Sequence, residues 1–351
     1  MARKRKTLPK DFDELLKKEN LSTLIAIFDK CELDAYSGYA KISALGFSHC
    51  PDELSKWLVE NGADLHYLNT YGNTPLHLRA YDKHSNLDVL IQMGADVNFQ
   101  SKKGKRDTPL HSAVTFHNVP NSALLLAAGA DMNVKNEYDL TPLEYSLYRC
   151  GNLDIPRMVD MTELFVRYGV EITPKMQELV TAIGDKFEFI REDFNKDSVD
   201  EYSLALNNLY RLYDVTPVKT RLLHDGQSPI ELIGDTWEQK YSNLWDYLVP
   251  SKGAALTVQG EVIRIAGRVT DELHGNGGVN WDRAYRKMCN AYLNHIASHN
   301  SLAEKEIAAL SNLVSDIELL MDEPSQLQKY AVKWISKNTH PIKLETPNYK
   351  R

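Results

Sequence analysis

The sequence predicts an all-α protein, in which an N-terminal solenoid of about four helix-pair repeats is followed by a C-terminal α-helical bundle. The first observation is a tetrapeptide, Thr-Pro-Leu-(His or Glu), that begins at positions 74, 108 and 141 and so recurs after 34 and 33 residues. The second is a Gly-Ala-Asp motif at positions 62, 94 and 129. The third is a change, beyond position 173, to longer segments with apolar residues three and four apart.

Each tetrapeptide has the chemistry of a helix start. Its threonine can accept a backbone hydrogen bond as an N-cap, and its proline stands at the first helical position, where a missing N–H costs nothing. The glycines at 62, 94 and 129 follow amphipathic segments, as expected of left-handed residues that end helices. A helix pair of this size cannot bury its own apolar face, so neighbouring pairs are expected to stack into one continuous core.

The two linked motifs, repeating in register, make this part of the chain similar to the ankyrin repeat family. The resemblance implies a solenoid that presents a concave surface and binds another protein. It also implies a structural role for His77 and His111, whose rings hydrogen-bond within the turn region. Glu144 takes the matching position in the fourth repeat, which argues against a set of metal ligands there.

The outer repeats depart from the pattern, as expected of repeats that cap a stack. In the first, the sequence Ala-Lys-Ile-Ser at 40–43 replaces the tetrapeptide, and in the last an insertion around 150–156 lengthens the repeat. Extra residues at 105–107 are expected to make the third hairpin tip project and carry positive charge. The predicted organisation is a basic tail and helical N-terminal cap (1–34), ankyrin repeats (35–172), a helical domain (173–340) and a tail (341–351).

The resemblance also implies where a partner would bind, because in ankyrin repeats the hairpin tips and the exposed end of the first helix face the partner. Transferred through the matching tetrapeptides, these positions are Thr70, Tyr71, Asn73, Tyr81, Asp82, Lys102, Lys103, Thr115, Phe116, Glu137, Tyr138, Tyr148 and Arg149. Tyr81, Phe116 and Tyr148 fall at nearly equivalent sites and are expected to form an aromatic stripe, since tyrosine and arginine are favoured as interface anchors. The alternative is that these rings pack on each other or on the C-terminal body.

The C-terminal half has weak strand signals and clear helical periodicity, which favours a bundle. The predicted helices span 176–194, 199–213, 236–248, 258–273, 281–296, 302–321 and 326–336. Within this half, the stretch 245–281 is similar to a segment of uncharacterised bacterial proteins, which favours a bacterial source and assigns no role to any residue.

A candidate ligand pocket lies in that stretch and comprises Glu261, Arg264, Arg268, Asp271 and Asn280. The two arginines beside a glycine-rich loop could hold an anionic ligand, and Glu261 with Asp271 could act as an acid/base pair. Alternatively, the same residues form a satisfied ion-pair network along one helix face, which is the more common arrangement. His295 and His299 have a spacing suited to zinc, but no third ligand is evident.

Composition restricts the remaining function classes. No stretch approaches the roughly 18 apolar residues of a membrane span, so no membrane partner is expected. The net charge of −7 disfavours nucleic acid as the main partner, and the basic start at residues 3–10 is expected to be a solvated tail. Four scattered cysteines without a Cys-x-x-Cys pair fit a reducing cytoplasm.

Two functional hypotheses follow. The first is a non-catalytic adaptor, inhibitor, immunity or effector-type protein whose repeat face binds another protein. It needs no cofactor, and the sequence contains no nucleophile with a base, metal cluster or phosphate-binding loop. The second is an enzyme or anionic-ligand sensor with its pocket in the C-terminal domain. An open pocket where Arg264, Arg268 and Asp271 converge would favour the second.

Overall fold

The computed structural model describes residues 3–350, and its backbone is mostly helical, as the sequence predicts. The chain divides into two compact units. The N-terminal unit comprises the chain up to Phe187 together with Asn195–Val218, and the C-terminal unit comprises Glu188–Phe194 together with the chain from Lys219 onward. Of the helices formed by residues 3–350, none combines the length and hydrophobicity that a membrane crossing requires.

The N-terminal unit begins with a small sheet and continues as paired helices. Strand β1 (Arg5–Thr7) lies parallel to β2 (Cys31–Ser37), which pairs antiparallel with β3 (Ile42–Ser43). The helices are α1 (Phe12–Lys18), α2 (Leu21–Lys30), α3 (Asp52–Glu60), α4 (Pro75–Tyr81), α5 (Asp88–Gln92), α6 (Pro109–Val114), α7 (Val119–Ala127), α8 (Pro142–Arg149), α9 (Ile155–Arg167), α10 (Pro174–Ile190), whose last three residues belong to the C-terminal unit, and α11 (Val199–Leu212).

The predicted basic tail is therefore partly ordered as a strand. Its backbone pairs with β2, and the Lys4 ammonium donates a hydrogen bond of 2.7 Å to the carbonyl of Phe28. The side chains of β1 are exposed, as the charged sequence predicts. The sequence did not indicate that the backbone of this segment pairs with a strand. The first two residues and the last one lie outside the described part of the chain.

The tetrapeptides start helices α4, α6 and α8, as predicted, and their fourth residue couples each repeat to the next. In α4, His77 Nδ1 accepts from the Thr74 N–H at 3.3 Å, and Nε2 donates to the carbonyl of Asp107 in the following repeat at 3.1 Å. His111 makes the equivalent pair of bonds, the second to the carbonyl of Leu140 at 3.1 Å. The structural role predicted for both histidines is confirmed.

A carboxylate performs the same task in the fourth repeat. Glu144 accepts the Thr141 N–H at 3.0 Å through one oxygen, which closes the capping box of α8. Its other oxygen accepts from the Thr173 hydroxyl at 3.0 Å, beyond the end of the repeat. Histidine and glutamate can exchange at this position because each offers an acceptor for the cap and a second polar atom for the neighbouring segment.

Glycines end the second helix of each repeat. The Gly94 N–H donates to the carbonyl of Ile91 at 3.0 Å, and the Ala95 N–H donates to that of Leu90 at 2.9 Å. This bond pair requires a left-handed residue, and Gly94 has a φ of 92°. The same arrangement ends the helices before Gly62, Gly129 and Gly169.

The N-terminal unit extends beyond the predicted boundary at 172/173. Helix α11 packs on α9, and the buried hydroxyls of Thr162 and Tyr213 lie 3.0 Å apart. The Gln177 side chain in α10 donates to the carbonyl of Tyr213 at 2.9 Å. Helix α9 of the last repeat is therefore covered by α11, which the loss of the repeat motif in the sequence did not reveal.

The C-terminal unit is a bundle built around one buried helix. Its helices are α12 (Trp237–Leu248), α13 (Val258–Thr270) with a π-helical turn at Asp271–Gly275, α14 (Arg283–Ile296), α15 (Glu304–Ser315), α16 (Ile317–Asp322) and α17 (Ser325–Ile335). Helix α13 packs against α12, α14 and α17, and a Cβ at Gly260 would lie only 2.8 Å from the carbonyl of Leu248. The helix predicted at 302–321 is two helices, because Asp316 ends α15 and caps α16.

The segment predicted as a tail, 341–351, packs into this unit as far as it is described. The Ile342 backbone donates to the side-chain oxygen of Gln259 at 3.0 Å and accepts from the Val258 N–H at 2.8 Å. Lys343 forms an isolated bridge with Thr257, and the Tyr349 side chain is only 9% exposed. The backbone N–H of Val258, at the start of α13, is thus hydrogen-bonded by the segment 341–350, as buried backbone polar groups require. The sequence of that segment has no helical periodicity and did not indicate this role.

The packing on α9 predicts how the chain can be divided. A fragment comprising residues 1–218 keeps α10 and α11 and is expected to unfold in one cooperative transition. A fragment comprising residues 1–172 exposes the surface that α11 covers, so it should melt at lower temperature or aggregate. Circular dichroism and light scattering on both fragments check this, and equal stability of the two would show that α10 and α11 are dispensable.

The buried histidines predict a dependence of stability on pH. Burial lowers the pKa of both His77 and His111 to about 4, below the roughly 6.5 expected in the unfolded chain. The unfolded chain therefore binds more protons between these values. The free energy of unfolding should be highest above about pH 6.5 and fall as the pH drops toward 4, by on the order of 3 kcal/mol for each ring.

The test is urea unfolding of His111→Gln across this pH range, because glutamine retains a side-chain acceptor for the cap but does not titrate. The variant should lose part of the pH dependence of the wild-type midpoint. The exposed His84→Gln variant should keep the wild-type dependence. A His111→Gln curve parallel to the wild-type curve would rule out a contribution from this ring.

Candidate partner-binding face

The hairpin tips of the repeats are held by asparagines that bond the backbone of the tip itself. Asn69 Oδ1 accepts from the N–H groups of Tyr71 and Asn73, both at 2.9 Å, and Asn136 Oδ1 accepts from Tyr138 at 3.0 Å. These turns fix the backbone while the Tyr71 and Tyr138 side chains stay 51% and 48% exposed. The tips therefore present these side chains from a backbone that the turns already hold in place.

The tip of the third repeat is longer and basic, as its sequence predicts. Ser101 takes the place of the asparagine, and its hydroxyl accepts from the Lys103 N–H at 3.3 Å. The following residues through 106 are exposed. The Lys105 carbonyl accepts the Glu137 N–H at 2.8 Å, which fixes this tip on that of the fourth repeat.

The predicted aromatic side chains are exposed but form two clusters instead of one stripe. Tyr81 and Phe116 meet edge to face with ring centroids 4.7 Å apart. Tyr138, Tyr148 and the buried Tyr145 stack with centroids 6.1 to 6.5 Å apart. Because Tyr81, Phe116 and Tyr148 remain 47–55% exposed, each ring packs through one side and leaves the other side to solvent.

A groove lies between the tips and the first helices of the repeats. Its volume is about 740 Å³ including the open mouth. Six of the predicted residues line it, namely Tyr71, Asn73, Tyr81, Lys103, Thr115 and Arg149. The sequence did not indicate the other lining residues, Gly104, Lys105, Asp107 and Ser112, although the extra length of the third tip at 105–107 was a signal for two of them.

Cations dominate the ionised groups of the groove. Lys105 donates a hydrogen bond of 3.2 Å to the Tyr145 hydroxyl, which raises the pKa of the ammonium and keeps it charged. Burial raises the pKa of Asp107, whose carboxylate accepts from the Asn136 side chain at 3.0 Å. Within residues 3–350, the Arg149 guanidinium has neither a carboxylate nor a hydrogen-bond partner.

The remaining predicted residues differ in their availability. Thr115 is buried at 8% exposure, and its hydroxyl donates to the carbonyl of His111, so it can only form part of the floor. Thr70 donates to the Tyr39 carbonyl in the preceding hairpin, and half-buried Asp82 accepts from the N–H of His84, two residues further along its own turn. The exposed side chains of Lys102, Phe116, Glu137, Tyr138 and Tyr148 lie outside the groove lining.

The candidate ligand pocket of the C-terminal unit is closed. Glu261 and Arg264 are 0% and 1% exposed, and the guanidinium donates to both carboxylate oxygens at 2.6 and 2.8 Å. The Tyr349 hydroxyl donates to the same carboxylate at 2.7 Å, and the Ala255 N–H does so at 3.1 Å. Burial opposes ionisation, but these bonds hold the pKa of Glu261 below its ordinary value. The pair is a satisfied structural network.

The other three pocket candidates do not join this pair. Arg268 is half-buried, whereas Asp271 and Asn280 are exposed beyond the end of α13. The Asn280 backbone N–H instead donates to the buried Glu272 carboxylate, which also accepts from Asn276. The expectation of a convergent pocket is therefore wrong, because the helix turns into a π-helical loop at the point where the polar ladder would continue.

Metal binding finds no support in the described geometry. Among residues 3–350, no group of three or more histidine, cysteine, aspartate or glutamate side chains is arranged to hold an ion. His295 lies near the end of α14, and His299 follows it in a loop with a left-handed φ of 56°. The helical spacing that suggested zinc is thus lost between the two residues.

The comparisons with known proteins bear on the repeat region. A family model described as ankyrin repeats matches three copies over residues 42–136. These repeats are ankyrin repeats. They indicate a protein–protein interaction module, and the structure continues the same helix-pair pattern beyond the match through α8 and α9. No family model matches the C-terminal region.

Curated proteins are similar to parts of this chain. Alpha-latrotoxin-Lg1a of Latrodectus geometricus is 34% identical over 89 residues, which are 25% of this chain and 6% of the toxin. An ankyrin repeat protein of fowlpox virus is 34% identical over 110 residues, 29% of this chain and 31% of that protein. One of Acanthamoeba polyphaga mimivirus is 36% identical over 76 residues, 21% of this chain and 46% of that protein.

This chain thus spans less than half the length of each of these relatives. The similarity therefore identifies the repeats and carries no activity of a whole protein. Two of the three relatives are viral, and none of the three is bacterial, so they give no support to the bacterial source that the segment 245–281 suggested.

Because Arg264 belongs to a buried ion pair and Arg268 does not, substituting the two arginines should lower the free energy of unfolding by very different amounts. Arg264→Met leaves the Glu261 carboxylate buried without its cation, and this should lower the free energy of unfolding by about 3–5 kcal/mol. Arg268→Met, at a half-buried position on the same helix, should lower it by less than about 1 kcal/mol. Urea unfolding followed by tryptophan fluorescence measures both. Similar losses would indicate that water reaches the Glu261 carboxylate.

Proposed function

We propose that this protein is a non-catalytic binding module that holds a partner protein on the face made by the hairpin tips and first helices of its ankyrin repeats. The groove lined by Tyr71, Tyr81, Lys103 and Arg149 is the central part of that face. An adaptor, inhibitor, immunity or effector role is compatible with binding of this kind. The four buried free cysteines support a reducing compartment such as the cytoplasm.

The observation that carries the proposal is a set of aromatic side chains on this face that each leave about half of their surface exposed to solvent. Tyr71, Tyr81, Phe116, Tyr138 and Tyr148 are each about half exposed, between 47% and 55%. Aromatic rings at a rim beside a groove are typical anchors of protein interfaces, because they bury much area while keeping a polar contact. The tip turns hold their backbone in place before binding, which reduces the entropy that association costs.

The rival proposal, an enzyme or anionic-ligand sensor in the C-terminal unit, loses its main support with the closure of the Glu261–Arg264 pair. A group that is fully buried and saturated with hydrogen bonds cannot receive a ligand without breaking the pair. We therefore assign the C-terminal unit no catalytic step.

The proposal is tested by identifying the partner through affinity capture of the full chain with mass spectrometry and then measuring its affinity for point variants. Tyr81→Ala and Tyr148→Ala should each weaken binding by about 2 kcal/mol, because each removes an exposed anchor. Each should lower stability by only about 1 kcal/mol, the value of the aromatic contacts that it loses.

The matched control is Tyr168→Ala, which removes a ring of 43% exposure outside the groove. It should bind with wild-type affinity in isothermal titration calorimetry. If Tyr81→Ala and Tyr148→Ala bind normally but melt many degrees lower, these rings serve the fold and the partner docks elsewhere.

A further inference from the structure

We infer that the partner segment received by the groove is an acidic peptide, with carboxylates placed around an apolar or aromatic side chain. This inference rests on the proposed function and adds the chemistry of the partner. It follows from three features of the groove: an excess of cations over carboxylates, an exposed aromatic wall and contributions from three consecutive repeats.

Lys103 and Arg149 lack a salt-bridged carboxylate of the kind that some lysines of the same unit have, whereas Lys105 interacts electrostatically with Asp107. Lys17 and Lys18 lie 2.5 and 3.0 Å from carboxylates on α1, and Lys135 lies 3.0 Å from Asp139. In the part of the chain that the structure describes, Lys103 and Arg149 have no carboxylate within ion-pair distance. The fold leaves these charges available in a chain whose net charge is −7.

The one carboxylate of the lining offsets only part of its positive charge. Asp107 is the one acidic residue of the lining against Lys103, Lys105 and Arg149, and it is partly buried and hydrogen-bonded to Asn136. Glu137 is exposed on the next tip but lies outside the lining. The lining therefore carries an excess of positive charge, which complements carboxylates and repels basic segments.

The shape of the groove distinguishes a peptide from a small anion. Tyr71 and Tyr81 come from the second repeat, Lys103 and Lys105 from the third and Arg149 from the fourth, so one ligand must extend across three repeats to meet them all. A single phosphate would meet one or two of the cations and leave the tyrosine wall unused. An extended segment can place an apolar side chain on the tyrosines and its carboxylates on the cations.

The overall charge of the chain also favours a peptide over nucleic acid. A long polyanion would run beyond the groove onto a protein surface that is acidic on balance, with 48 carboxylate residues against 41 lysines and arginines. A short acidic segment gains from the local charge without meeting that repulsion. Because exposed charges act over about 10 Å at 0.1 M salt, the contribution should be sensitive to ionic strength.

The test starts from a displayed library of random dodecapeptides, selected against the full chain and in parallel against the double variant Lys103→Glu/Lys105→Glu. Peptides selected by the wild type should be enriched in aspartate and glutamate around an apolar residue. The affinity of the best fluorescein-labelled peptide, measured by anisotropy, should fall at least about tenfold in the double variant and between 50 and 300 mM NaCl.

The control variant Lys30→Glu/Lys56→Glu changes the net charge equally at two exposed positions outside the groove and should bind within twofold of the wild type. Thermal melts show that the variants remain folded. The inference is overturned if the selected peptides are neutral or basic, if both double variants weaken binding equally, or if no peptide binds the wild type better than the groove variant. Tighter binding of a labelled oligothymidylate through the same lysines would also overturn it, in favour of nucleic acid.

The variant Tyr81→Ala separates this inference from the function on which it rests. If Tyr81→Ala weakens peptide binding and Lys103→Glu/Lys105→Glu does not, the repeat face binds partners but does not prefer acidic peptides. If neither change affects binding, the proposed face and the inference both fail.

Discussion

The ring of His77 makes hydrogen bonds in two repeats, because Nδ1 closes the capping box of its own helix and Nε2 donates to the carbonyl of Asp107 in the next hairpin. His111 repeats the arrangement, and Glu144 ends the series with a carboxylate. Each helix start is thereby coupled to the position of its neighbour. A repeat that cannot bury its own apolar face needs such a coupling, since its core is completed only by the adjacent repeat.

The binding face depends on this coupling. The carbonyl that His77 holds belongs to Asp107, a residue of the groove lining, and the carbonyl that His111 holds directly precedes helix α8, which ends at Arg149. Bonds made for folding therefore fix the backbone from which the groove is built. Tyr71 and Lys103, which line the groove from the hairpin tips, take no part in these bonds, so their side chains can contact a partner.

The C-terminal unit obeys a different constraint, which is the burial of charge. Glu261 and Arg264 lie within a helix that is packed against three others, and such a pair is tolerated only when its polar atoms are satisfied. The guanidinium, the Ala255 backbone and the Tyr349 hydroxyl together meet this demand. The segment that carries Tyr349 is consequently part of the fold, although its sequence resembles a solvated tail.

The sequence by itself determined the local structure of this protein. Threonine and proline define where helices start, glycine defines where they end, and the period of these signals defines the solenoid, because all three are properties of short stretches of backbone. Six of the positions that the sequence predicted to face a partner lie in the lining of the groove, although one of them, Thr115, is buried. The seven predicted helices of the C-terminal half were each found, with one divided at Asp316.

Only the tertiary structure decided which distant groups meet. The contact between Thr162 and Tyr213 placed α11 on the last repeat, and the bond from Tyr349 to Glu261 closed a pocket that helical spacing alone had left open. The division of the aromatic stripe into two clusters was decided in the same way. The physical reason is that helical and turn propensities act over a few residues, whereas burial and ion pairing depend on neighbours that are remote in sequence and known only after packing.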